Sequence, residues 1–101
     1  MYESRKREWL EYDEWTEDDV AHLLLGREPL VPFMANKPEG WEDALLLAYE
    51  AVSRSGLTGT VRPKGMSYFP ADVVRWANKH REAWPWFPFS LEDLSLAPLT
   101  A

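Results

Sequence analysis

The sequence predicts an α+β, predominantly helical single domain: three main helices, a small β-hairpin and an extended aromatic C-terminal segment. Three observations carry this expectation. Apolar residues recur at helical spacing in three stretches, each with its own start or stop signal. Two short runs of strand-forming content flank Pro63-Lys64-Gly65. From Trp84 to Phe89 aromatics interleave with prolines, and proline's fixed φ and missing N–H suit neither helix nor inner strand.

At 101 residues the chain is read as one domain, 1–101. Folding a chain of that size removes roughly two thirds of its unfolded surface. Six tryptophans are more than so thin a core easily hides, so some are expected at a surface or interface. There is no cysteine, which excludes disulfide frameworks and thiolate sites and makes a reducing, cytoplasmic compartment the plain reading. The opening residues, Met1 to Arg7, are polar, with no apolar run after them to act as a signal peptide or membrane span.

Taken in order, residues 1–14 are expected to form a short, fraying helix with Trp9 and Tyr12 inward and Arg5, Lys6 and Arg7 outward. A better-signalled helix spans 17–25. Thr16 can cap it, Asp19 stands at the reciprocal capping-box position, and Trp15 can staple onto Val20. Val20, Leu23 and Leu24 give its buried stripe, and Gly26 stops it. Leu30, Val31, Phe33 and Met34 make the next loop apolar enough to pack on the core.

Pro38 then opens a helix to about Arg54. Trp41, Ala44, Leu45, Ala48 and Val52 share one face, and Leu46, Leu47 and Tyr49 widen it into a helix contacted on several sides. Thr58–Arg62 and Met66–Phe69 form the hairpin, turning with Pro at the second position and Gly at the fourth. A third helix, 70–82, begins at Pro70 and has Asp72 in its first turn. Val73, Trp76, Ala77 and His80 form its expected stripe, with Trp76 buried against the 38–54 helix. The aromatic tail, 84–101, follows, with one last turn capped by Ser90 and Asp93.

The net charge of −6 hides a strong polarity. Between Arg54 and Arg81 stand six basic residues and one acid, a balance of +5 that leaves −11 on the rest of the chain. Glu11, Asp13, Glu14, Glu17, Asp18 and Asp19 form the acidic block. No catalytic constellation is visible. His22 and His80 have no partner at metal-ligand spacing, consecutive carboxylates fan outward instead of converging on a cation, and no nucleophile elbow or phosphate loop occurs. The expectation is a non-enzyme without cofactor or metal.

Three surfaces compete for a function. Trp84, Trp86, Phe87 and Phe89 either wrap the core or offer an adhesive strip to a protein partner. Arg62 and Lys64 on the hairpin, with Arg75, Lys79 and Arg81 on the last helix, could lie on phosphates as a wing and recognition helix do. The negative total charge opposes such an approach. Glu11, Asp13, Glu14, Glu17 and Asp18 could instead mimic nucleic acid and occupy a basic groove on a target.

Two stretches carry a resemblance. Trp15-Thr-Glu-Asp-Asp-Val-Ala21 with Leu24-Leu-Gly26-Arg-Glu-Pro29 resembles a W-x-x-x-E-A-A…L-L-x-G-x-x-P pattern, with Val20 in place of the first alanine. Phe69-Pro-Ala-Asp-Val-Val-Arg-Trp76-Ala77 resembles P-x-D-V-I-x-W-A. The pair is similar to a small module of uncharacterised bacterial proteins, often associated with phages or mobile elements. That resemblance implies an accessory role in a bacterial or phage setting and supplies no active site. The leading expectation is a protein-interaction module acting on a host or viral protein, with the DNA-binding and acidic-mimic readings as alternatives.

Overall fold

The computed structural model describes residues 3–27, 39–63 and 65–96. In chain order they form α1 (Glu3–Glu11), β1 (Trp15–Thr16), α2 (Glu17–Leu24), α3 (Trp41–Arg54), β2 (Gly59–Arg62), β3 (Gly65–Tyr68), α4 (Pro70–Lys79) and a 3-10 turn, Leu91–Leu96. The α+β class holds. The helix count rises by one, because the N-terminal stretch is anchored as a helix by the buried Trp9 and Leu10. Tyr12, expected inward, is 45% exposed beyond the helix end, its ring edge-on to Trp9 at 5.1 Å.

The capping box at α2 is complete. Thr16 Oγ1 accepts from the Asp19 N–H at 3.1 Å, and an Asp19 carboxylate oxygen accepts from the Thr16 N–H at 3.0 Å. Two of the helix's unpaired N-terminal donors are satisfied this way. Val20, Ala21, Leu23 and Leu24 are buried, and Gly26 ends the helix at φ 75°. Trp15 and Thr16 do more than precede the helix. They pair with Tyr68 and Ser67 as a third strand, so the sheet order is β1-β3-β2, antiparallel throughout. The hairpin has the expected register, Arg62 opposite Gly65 across the turn. Lys64 lies outside the described residues, as do Pro38 and the apolar residues 30–34.

α3 departs from expectation. Ala48 and Val52 are buried and Trp41, Ala44, Leu45 and Tyr49 half-buried, but Leu46 and Leu47 are each 62% exposed. The helix packs on one side, chiefly against α2. α4 also presents a different stripe. Pro70, Val73, Val74 and Ala77 are buried, Trp76 is half-buried on the flank, and His80 is exposed. Trp76 is therefore not sealed against α3, since the 3-10 turn is the chief neighbour of α4. The helix ends at Lys79, and turns carry the chain through 80–83.

The tail closes the core. Trp9, Trp15, Phe89 and Phe87 form a continuous aromatic row, with ring centroids 6.3, 5.2 and 5.5 Å apart in turn. Trp15 is fully buried, and its indole N–H donates to Trp9 O at 2.8 Å. Its one polar atom is thereby satisfied, as a buried indole requires. Ser90 and Asp93 cap the last turn as expected, the Ser90 N–H donating to the Asp93 carboxylate at 2.7 Å.

Candidate functional site

Among the described residues the tail's backbone carbonyls have no strand beside them, and its prolines remove donors that could pair it into the sheet. Arg81 and Asn78, from α4 and the turn after it, meet that need. The Arg81 guanidinium donates to Phe87 O at 2.6 Å, to Phe89 O at 2.7 Å and to the Asn78 side-chain oxygen. The Asn78 amide donates to Val74 O at 2.7 Å and to Phe89 O at 3.1 Å. The aromatic segment is thus held at two carbonyls while Phe87 and Phe89 enter the core.

Between these anchors and α4, Trp86 is turned the other way and is 75% exposed. Its backbone lies on the end of α2, where a Cβ at Gly26 would stand 2.7 Å from Trp86 O. Trp84 is half-buried against the core. Of the four aromatics expected to meet a partner, Phe87 and Phe89 are withdrawn by burial and Trp86 is presented. The wrap and the adhesive strip are therefore the same segment, divided residue by residue.

Trp86 forms one wall of a groove of about 890 Å³. Trp41 and Pro88 also face it, with Leu25 and Ala44. The Arg27 guanidinium lies 5.5 Å from the Trp41 ring centroid, close enough for a cation–π contact. Lys6 also lines it, its ammonium 3.8 Å from the Asp93 carboxylate. Nothing in composition or periodicity placed α1, α2, α3 and the tail around one groove. The only advance signal was the surplus of tryptophan.

The basic residues expected to bind nucleic acid do not converge. Arg62 is paired through two contacts to Glu14, at 3.0 and 2.5 Å, and that pairing pushes its pKa up. Arg75 lies 3.4 Å from Asp72 on its own helix, and Arg81 is committed to the tail. Lys79 points to solvent, and Lys64 is outside the described residues. The acidic block is also partly absorbed: Glu14 by Arg62, Asp19 by the capping box, and Asp18 by the Tyr49 hydroxyl, which donates to it. Glu11 and Asp13 are exposed and Glu17 half-buried. Glu17 and Asp18 border a second groove, of about 680 Å³, between α2, Tyr49 and the hairpin.

His22 donates from Nδ1 to Asp18 O at 2.8 Å, a contact within its own helix. Among the described residues, no group of three His, Cys, Asp or Glu side chains is placed to hold a metal ion, and no helix is long and apolar enough to cross a membrane. Comparison with known proteins finds no matching family model, no matching curated protein and no matching solved structure.

Proposed function

We propose that this chain is a non-enzymatic protein-interaction module whose contact residue is Trp86. One observation carries the reading: a tryptophan 75% exposed on a backbone that buried neighbours and an arginine clamp hold in place. Covering an apolar ring of this size with a partner's surface is favourable. Because its backbone is already ordered, a partner gains the ring's area with little further loss of conformational freedom, the usual setting of an interface hot spot. The resemblance of the two sequence motifs supports a bacterial or phage setting for such a module, with a host or viral protein as the proposed partner.

The immobilised chain, exposed to bacterial lysate beside its Trp86→Ala variant, tests the reading. Proteins retained by the parent and lost by a variant of matching melting curve are the expected result. Retention of the same proteins by both would remove Trp86 from the interface and the reading with it. The nucleic-acid reading draws no support from the basic residues, since three of its five are engaged within the fold.

A further inference from the structure

The backbone around Trp86 has little left to offer another chain. Pro85 and Pro88 have no N–H to give. The Phe87 N–H donates to Trp84 O at 3.2 Å. The carbonyls of Phe87 and Phe89 accept from Arg81, and that of Phe89 also from Asn78. Trp86 O lies over Gly26, where a Cβ would stand 2.7 Å from it. An added strand needs a row of free donors and acceptors along its neighbour, and residues 84–89 do not supply one. What remains for a partner is the side chain of Trp86.

That side chain makes two demands. The ring is 75% exposed, and burying a tryptophan removes about 150–250 Å² from water. A flat surface covers one face of such a ring, whereas a concave one covers both. The second demand is polar. Trp15, the buried counterpart, has Trp9 O for its indole N–H. Among the described residues no hydrogen bond reaches the Nε1–H of Trp86, and once out of water that donor needs an acceptor. We infer, resting on the reading of Trp86 as the contact residue, that its ring inserts into an apolar pocket of a partner protein whose wall presents an acceptor oxygen to the indole N–H. The ordered backbone beneath the ring keeps the entropic cost of insertion small. A nucleic acid or an anionic membrane would instead bring phosphates against a chain of net charge −6.

Proteins that the immobilised chain retains from bacterial lysate and that Trp86→Ala loses, once eluted, serve as the probe. The chain is labelled with 5-fluorotryptophan, and the Trp86 fluorine resonance is the one missing from Trp86→Phe. On adding the probe this resonance should lose its solvent isotope shift, as a ring withdrawn from water does. A chain carrying sulfur in place of the indole N–H at residue 86 keeps the ring's area and should bind about tenfold more weakly, the effect of one lost hydrogen bond and an acceptor left bare. A resonance that keeps its isotope shift in the complex would put the ring at a rim, and a sulfur analogue that binds as well as the parent would remove the acceptor. Either result overturns the inference and leaves the contact role of Trp86 standing. A lysate that yields no protein lost by Trp86→Ala overturns both. Loss of the isotope shift on concentrating the chain alone, or on adding single-stranded DNA or phosphatidylglycerol vesicles, would assign the ring to a second copy, a nucleic acid or a membrane and also overturn it. Amide spectra of each variant that match the parent establish that the fold is kept.

Discussion

Trp15, Trp76 and Trp86 are chemically identical and differ in what surrounds them. Trp15 is wholly buried, with its N–H paired. Truncating such a residue typically costs about 3–5 kcal/mol, against a total of roughly 5–15 kcal/mol for a domain. Trp15→Ala should therefore leave the chain largely unfolded in a denaturant melt. Trp86→Ala should fall by less than about 1.5 kcal/mol, as at sites away from a packed core. Trp76, half-buried, belongs between them at about 1–3 kcal/mol, less than the near-complete loss that full burial against α3 would have implied. Gly26 is constrained twice, by its φ of 75° and by Trp86 O. Gly26→Ala should cost at least about 1–2 kcal/mol for the left-handed backbone alone and should also change the emission of Trp86, since the added methyl must displace that segment.

The clamp that Arg81 makes on the tail is an arrangement of elements, and only a planar fork fills it. Arg81→Lys keeps the charge but cannot reach Phe87 O, Phe89 O and Asn78 together. Hydrogen bonds from charged donors are each worth about 1.5–3 kcal/mol, so the variant should lose about that much in a melt and show faster amide exchange in residues 84–90. Elements set by local chemistry were legible in advance. The capping box at Thr16 and Asp19, the Pro63 turn and the Ser90 cap each depend on residues within four positions of one another. Elements set at long range were not. β1 is two residues long and exists because Tyr68 and Ser67 lie beside it. On α4, helical spacing suggested Val73, Trp76, Ala77 and His80 as the buried stripe; the packing kept Val73 and Ala77 and took Val74 and Pro70 in place of the other two. The groove needed four separate elements in place before it existed. The exposed Leu46 and Leu47 are the reverse case, where apolar character widened a predicted face that the neighbouring elements do not cover.

The whole molecule responds to alkali through two phenols. Burial is the main cause that pushes the hydroxyls of Tyr49 and Tyr68 up from the ordinary value of 10.0, and for Tyr49 the bond it donates to Asp18 adds to the effect. Both groups hold their proton more tightly in the folded chain than in the unfolded one. The stability they confer is fully present below pH 10 and falls as pH rises above it. Melts at increasing pH should show that decline, and Tyr49→Phe should make it shallower. At neutral pH the same variant should lose about 1 kcal/mol with its hydrogen bond, a bond that joins the start of α2 to α3.

The row Trp9–Trp15–Phe89 has a consequence in time. During synthesis the first two rings are made seventy-four residues or more before the third. At about 5–20 residues per second, Trp15 spends roughly 4–15 s without its cover, even before the length hidden in the ribosomal tunnel is added. Local closure cannot substitute for Phe89, because the contact is among the longest the chain makes, and such contacts form late. The nascent chain must therefore carry two exposed indoles until its final aromatic emerges. The core of this small domain closes only once residue 89 has been made.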